Sequence, residues 1–245
     1  MSKNTNRVAV VTGGARGIGR ACALALAEKG FDIALVDLLV PEMERTAGEI
    51  LALGREARFY QADVADFRRA QEVVDDVVAA WDRVDFLLNN AGRSMPKGLL
   101  EITEEEWDRT LDINLKSCFN WCRAAVPHMN ARGGGRIANM SSLNAYSGGV
   151  TSAVSKFAYA AAKAGILGLT RALAKELGPT IHINAICPGV IETELGNTLT
   201  RARGPELAKG IALGRLGTPR DVAEVVVFLA TSEPSFITGQ DFVVD

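Results

Sequence analysis

The run Val8–Gly19, VAVVTGGARGIG, constrains this chain more than any other stretch. An apolar, β-branched segment ends at Thr12, glycines recur at Gly13, Gly17 and Gly19, and Arg20–Lys29 then reads as a helix. The pattern is strand, tight turn, helix. Glycine suits a turn whose backbone needs φ > 0, or one that lies close to another backbone or a ligand. The unpaired N–H groups and the positive dipole end of the helix face that turn, so an anion such as a pyrophosphate fits there. The spacing G-x-x-x-G-x-G differs from the G-x-G-x-x-G of the general dinucleotide fingerprint. Taken alone, it leaves a plain strand-to-helix connection open.

The rest of the chain extends this unit. Apolar runs at Val8–Thr12, Ile33–Asp37, Ala57–Gln61, Val84–Asn89, Gly135–Met140, Ile181–Cys187 and Asp241–Val244 read as buried strands. They alternate with helical patterns at Gly17–Lys29, Glu42–Leu53, Phe67–Trp81, Glu104–Met129, Tyr159–Leu177 and Pro219–Ala230. Thr103 ahead of Glu104-Glu105-Glu106 has the form of a capping box, and Thr218-Pro219 puts proline at a first helical position. Strands apolar on both faces and joined by helices predict a parallel sheet covered on both sides, wound right-handedly in two directions. The expectation is an α/β, single-domain Rossmann-like fold: a seven-stranded parallel sheet with helices on both faces. At 245 residues, 48% of them hydrophobic, the chain can bury a large core within one such domain, residues 1–245. Arg93–Ile102 and Ile191–Gly217 read as irregular. Both follow strand ends, where open parallel sheets bind ligands.

A formal net charge of −2 with acids and bases interspersed gives no reason to expect nucleic acid or a membrane as partner. No apolar run is long enough to span a bilayer, and the opening MSKNTNR lacks a signal-peptide core, so a cytoplasmic location is expected. Cys22, Cys118, Cys122 and Cys187 form no C-x-x-C pair and are expected to be buried free thiols rather than metal ligands.

The second apolar run ends in Asp37. An acid there can accept hydrogen bonds from both ribose hydroxyls of an adenosine, as in NAD, and would repel a 2′-phosphate. Arg16, inside the glycine turn, pulls the other way, toward NADP. The carboxylate weighs more, because setting it against a dianionic phosphate in a partly desolvated cleft costs more than one mobile arginine returns. NAD is therefore expected, with NADP the alternative. Asp63 and Val64 follow the third run, where the acid can bond an adenine amino group. Asn90, Ala91 and Gly92 end the fourth, small enough for backbone to lie along a bound cofactor.

Tyr159-Ala160-Ala161-Ala162-Lys163 is the sharpest local feature. Positions i and i+4 share a helix face, so phenol and ammonium point the same way, and the alanines between them let something pack closely. A cation beside a phenol favours the phenolate. Such a tyrosine can take a proton from an alcohol or give one to a carbonyl oxygen. An exposed Tyr/Lys pair on a surface helix is the bland alternative.

With these residues in place, the chain resembles the short-chain dehydrogenase/reductase family over nearly its whole length. Thr12-Gly13-x-x-x-Gly17-Ile18-Gly19, Asn89-Asn90-Ala91-Gly92, Asn114, Ser141-Ser142, Tyr159-x-x-x-Lys163 and Pro188-Gly189 with Thr193 occur in the family's order. The resemblance implies that Tyr159 is the general acid/base and that Lys163 supports it and bonds the nicotinamide ribose. Ser142 would hold the substrate oxygen. Asn114 would serve a water chain to solvent through a local break in its helix. Pro188, Gly189, Val190 and Thr193 would wrap the nicotinamide end. The register of the preceding strand selects Ser142 over Ser141.

The match is not uniform. Tyr159 follows Ser142 by a few residues more than is usual, with Tyr146 and Ser155 in the longer loop, and the chain stops at Asp245 where relatives often continue. The resemblance implies an NAD(P)-dependent oxidoreductase acting on a secondary alcohol or ketone, with 3-oxoacyl thioesters, sugars or polyols, and steroid or aromatic alcohols among the candidates. A nicotinamide-sensing binding protein and a non-redox epimerase are the alternatives. Arg93, Met95, Lys97, Leu143, Tyr146, Val150, Leu195, Arg201 and Arg203 are candidate pocket residues, and their cations hint at an anionic substrate. A homotetramer or homodimer built on the two longest helical patterns is the family expectation.

Overall fold

The computed structural model describes residues 6–149, 155–194 and 198–245; of 198–202 only the backbone is described. Among them, β1 (Arg7–Thr12), β2 (Phe31–Asp37), β3 (Ala57–Gln61), β4 (Phe86–Asn89), β5 (Gly135–Met140), β6 (Ile181–Pro188) and β7 (Asp241–Val244) form one parallel sheet. Its order is β3-β2-β1-β4-β5-β6-β7. The chain therefore runs outward from β1 to one edge and then from β4 to the other. The carboxyl ends of β1 and β4 stand side by side where the order reverses, and such a junction opens a crevice.

The helices are α1 (Gly17–Glu28), α2 (Val40–Ala52), α3 (Phe67–Trp81), α4 (Glu104–Leu111), α5 (Ser117–Ala131), α6 (Asn144–Ser147), α7 (Phe157–Leu177), α8 (Thr198–Ala208) and α9 (Pro219–Thr231). Alternation along the strands divides the core into two layers. Ala9 and Val11 of β1 pack with Ile33 and Leu35 of β2 under α1 and α9. Val8 and Val10 pack with Ala34 and Val36 under α3 and α5, around Trp121 and Met129. Both layers are apolar, as a doubly wound sheet requires.

Three features depart from the sequence expectation. β3 is half exposed, with Phe59 40% accessible, because it is an edge strand with a neighbour on one side only. The pattern Glu104–Met129 is not one helix: a single π-helical stretch, Asp112–Lys116, separates α4 from α5 and supplies the local break expected at Asn114. α6 and α8 lie in segments read as loop or irregular. The expected box forms: Thr103 Oγ accepts the Glu106 N–H at 3.2 Å while Glu106 accepts the Thr103 N–H at 3.0 Å. Pro219 opens α9 as expected, and Thr218 with Asp221 adds a second box there.

At the opposite end of the sheet, Asp32 of β2 is fully buried. Its carboxylate accepts from Arg55 Nε at 3.0 Å, Arg55 Nη2 at 2.5 Å and the Glu56 N–H at 3.0 Å. A buried charge needs such partners, and removing one member of a pair of this kind costs about 3–5 kcal/mol.

All four cysteines are buried and unpaired. Burial pushes the Cys118 thiol up to about 11 and raises those of Cys22, Cys122 and Cys187 as well. The native protein is expected to resist a thiol-alkylating reagent near pH ~8 and to label at all four sites once unfolded. Mass spectrometry of protein labelled before and after denaturation checks this; prompt modification of the folded chain would contradict it.

Candidate active site

The β1–α1 turn is built by close approaches that only glycine allows. Gly13 and Gly17 sit at φ +66° and +56°. A Cβ on Gly19 would lie 1.9 Å from the Gly13 carbonyl oxygen. Thr12 ties this turn to the end of β4: its hydroxyl donates to the Leu88 carbonyl at 3.2 Å and accepts the N–H groups of Asn90 at 3.0 Å and Ala91 at 3.1 Å. The Asn90 amide returns the link, donating to the carbonyls of Thr12 at 3.0 Å and Gly13 at 3.2 Å. The two strand ends are thus one rigid shelf.

Above the shelf is a cleft of about 510 Å³. Gly13, Arg16, Gly17, Ile18 and Gly19 line one side; Asp63, Val64, Asn90, Ala91 and Gly92 line the other, and Asp37 borders the same cleft. Helices α3, α4 and α9 are capped by Asp66, Thr103 and Thr218, whereas α1 opens on the cleft with no side-chain cap. Its first N–H groups and dipole are available to an anion. Asp37 is held by the N–H groups of Ala15 at 3.2 Å and Leu38 at 2.8 Å. Asp63 is also fixed, by the Ala65 N–H at 3.0 Å and by Arg109. Arg109 was not singled out in the sequence; it reaches the cleft from α4, 46 residues away in the chain. This arrangement fits a dinucleotide: a helix end with no side-chain cap for the pyrophosphate, and carboxylates along the same cleft for an adenosine.

The cleft continues into a second cavity of about 270 Å³ lined by Ser142, Ser155, Tyr159, Lys163, Pro188 and Gly189. Ile18, Asn90, Gly92, Arg93 and Thr193 border both spaces, which makes them two ends of one groove. Lys163 is 2% exposed, donates to the Met140 carbonyl at 2.7 Å, and places its Nζ 5.5 Å from the centre of the Tyr159 ring. The expected face-sharing of the two residues on α7 is therefore present. Ser141 is buried, and its hydroxyl donates to the Lys163 carbonyl at 2.8 Å. Ser142 is half-buried in the cavity wall and accepts the Asn144 N–H at 3.2 Å, which leaves its proton to donate.

Some sequence-designated residues lie elsewhere. Asn114 is fully buried and borders neither space. Its amide is committed to the loop after β4: Oδ1 accepts the Arg93 N–H at 3.1 Å, and Nδ2 donates to the carbonyls of Arg93 at 2.9 Å and Thr110 at 3.0 Å. It faces Lys163 across Gly92, where an added Cβ would meet Asn114 Oδ1 at 2.9 Å and Lys163 Nζ at 3.3 Å. Val190 lines a neighbouring cavity of about 210 Å³, and its carbonyl accepts the Gly217 N–H at 3.0 Å. Ser155 borders the tyrosine cavity, whereas Tyr146 is 49% exposed on α6 and does not. Val150, Leu195 and the Arg201 side chain lie outside the described residues.

A doubly wound sheet with a dinucleotide groove that ends on a tyrosine, a lysine and a serine defines an α/β oxidoreductase working with a nicotinamide cofactor. Comparison with known proteins specifies the class. The family described as Enoyl-(Acyl carrier protein) reductase matches residues 13–245. The 3-oxoacyl-[acyl-carrier-protein] reductase FabG of Thermotoga maritima is 38% identical over 98% of this chain and 96% of its own. The oxidoreductase UcpA of Salmonella typhimurium is 37% identical over 100% and 95%. Among solved structures, a putative short-chain alcohol dehydrogenase from Sinorhizobium meliloti superposes with a TM-score of 0.90 at 34% identity, covering 98% of this chain and 94% of that one. A variant of actinorhodin polyketide ketoreductase with NADPH gives 0.91 at 30%, covering 100% and 97%. The chain belongs to the short-chain dehydrogenase/reductase family.

Proposed function

We propose that the chain, as a single NAD(P)-binding domain, transfers a hydride between NAD(H) and a secondary alcohol or ketone, with Tyr159 as general acid/base. The observation that carries this reading is the continuity of the glycine-turn cleft with the cavity of Tyr159, Lys163 and Ser142. The cofactor, when bound, supplies or accepts the hydride. Tyr159 gives a proton to the carbonyl oxygen in reduction and takes it back in oxidation. The Lys163 ammonium, held by Met140 O, stabilises charge on the phenol oxygen as the proton leaves. Ser142 donates to the same substrate oxygen where charge develops. Asn114 acts as a positioning residue, holding the loop that flanks Lys163. Gly13, Arg16, Gly17, Ile18 and Gly19 hold the pyrophosphate, Asp37, Asp63 and Val64 the adenosine, and Asn90 to Gly92 with Pro188, Gly189 and Thr193 the nicotinamide end.

Asp37 supports NAD as the preferred form. Its carboxylate is fixed by backbone donors beside the cleft, where a 2′-phosphate would meet it. Arg16 lines the same cleft and would serve such a phosphate once the acid is gone. Asp37→Ala is expected to shift the ratio of kcat/KM for NAD over NADP by about tenfold or more toward NADP. An unchanged ratio would reverse the assignment.

Similarity to the Thermotoga 3-oxoacyl-[acyl-carrier-protein] reductase supports a substrate whose alcohol stands β to a carboxyl-derived group. The stacked, half-exposed Phe67 and Phe119 on α3 and α5 support self-association, as a homodimer or homotetramer, through that face. The deciding experiment is a panel of secondary alcohols, sugars, hydroxy acids and ketoacyl thioesters, followed by nicotinamide absorbance with each cofactor. Substrate-dependent change supports the reading. Tight NADH binding with no turnover of any compound would favour a sensor instead.

A further inference from the structure

Arg93 follows Asn90-Ala91-Gly92 and borders three spaces at once: the glycine-turn cleft, the tyrosine cavity, and a third cavity of about 410 Å³ between Met95 and α4. Its backbone N–H and carbonyl are clasped by the Asn114 amide, which fixes the root of an exposed side chain beside the reacting end. The nearby cations are neutralised or engaged: Lys97 by Glu106, Arg109 by Asp63, and Lys163 by the Met140 carbonyl. Among the described residues, Arg93 is the guanidinium on the tyrosine cavity without a partner. The acids are as unevenly placed. The described lining of the tyrosine cavity contains no carboxylate, whereas in the third cavity Glu105 and Glu106 offset Arg93 and Arg109. With a guanidinium and an ammonium on its described lining and no carboxylate, the tyrosine cavity favours a negative charge.

We propose that Arg93 is a specificity-determining residue that takes a carboxylate borne by the substrate close to the reacting carbon. The preferred substrate is then a small hydroxy acid and its oxo acid. The planar fork of a guanidinium matches a carboxylate in two parallel hydrogen bonds. The hydroxy acid gives its hydroxyl proton to Tyr159 and a hydride to NAD⁺, leaving the oxo acid, NADH and one proton released to solvent. A carrier-bound acyl thioester fits less well, because its phosphate lies at the far end of the pantetheine arm and puts no charge in this cavity. The proposal rests on the oxidoreductase reading above and names the substrate class within it.

The test uses the full chain with NADH bound. Propionate, butyrate and malonate are titrated while the fluorescence of the bound NADH is followed. The unmodified protein is expected to bind them saturably, and Arg93→Gln to weaken that binding roughly 10- to 100-fold with NADH affinity unchanged. Arg93→Lys, which keeps the charge without the fork, is expected to recover part of the loss. In turnover, short hydroxy acids should exceed their methyl esters in kcat/KM, and Arg93→Gln should remove that advantage mainly through KM. No carboxylate binding, equal losses on acids and esters, or a parallel loss of NADH affinity would each overturn the proposal. If neutral alcohols turn over as well as acids, the oxidoreductase reading stands and the role of Arg93 falls. If carboxylates bind through Arg93 but nothing turns over, the reverse holds.

Discussion

Tyr159→Phe is expected to lower kcat by at least about a thousandfold while NADH binding stays near that of the unmodified protein. Positioned proton transfer is worth roughly 10²–10⁴-fold, and here the same hydroxyl also holds the oxygen on which charge develops. The substitution removes one oxygen from a half-buried ring and leaves α7, Lys163 and the glycine turn in place. Stability and cofactor affinity should therefore separate cleanly from turnover. Steady-state rates with the best substrate of the panel, set against fluorescence titration of NADH, check both halves. Substantial residual activity would move the proton to another group, with Ser155 the candidate because it borders the same cavity. A matching loss of NADH affinity would mean that the hydroxyl anchors the cofactor more than it catalyses.

The second large effect is expected from Gly19→Ala. A methyl group there would stand 1.9 Å from the Gly13 carbonyl oxygen and 2.6 Å from the Asn90 amide nitrogen. No rotamer change relieves a clash with backbone, so the turn must open and the links from Asn90 to Thr12 and Gly13 must break. Overpacking of this kind costs about 1–3 kcal/mol. For a chain of this size each kcal/mol lowers Tm by roughly 2–4 °C. The larger consequence is at the α1 terminus, whose N–H groups would no longer converge on one anion. NADH affinity is expected to fall by about a hundredfold, as read by titration alongside a thermal melt. An unaltered dissociation constant would show that the pyrophosphate is held elsewhere.

How much of this could be read from the chain depended on how far apart the cooperating residues lie. The glycine turn and the Tyr159/Lys163 pair are local, so spacing and helical period were enough to place them on one turn and one helix face. Ser141 and Ser142 both border the cavity, and only the hydrogen bonds separate the committed hydroxyl of Ser141 from that of Ser142. The capping box at Thr103 and the proline opening the helix after Thr218 are equally short-range and form as expected. Arg109 was invisible because it meets Asp63 only after α3 and β4 have folded between them. β3 is half exposed where a buried strand was expected: Ala57, Phe59 and Tyr60 suggested burial, but Arg58 and Gln61 suit the edge position that only sheet order reveals. Asn114 was placed in the chemistry by resemblance. Its geometry shows an amide spent on the backbone of Arg93, which no pattern in the sequence signals.

The anchoring of Asp32 by Arg55 and Glu56 has a bearing on how such a protein can change. That lock sits where β2 begins, and the groove lies where the strands finish. Tolerance to mutation is therefore partitioned along the strand axis. Loops beside Arg93 and Ser155 can be exchanged to admit new substrates while the clasp beneath the sheet goes on supplying stability, and damage to the clasp should surface as a lower melting temperature with the catalytic constants of the surviving molecules intact. One scaffold can in this way acquire different specificities without relearning how to fold.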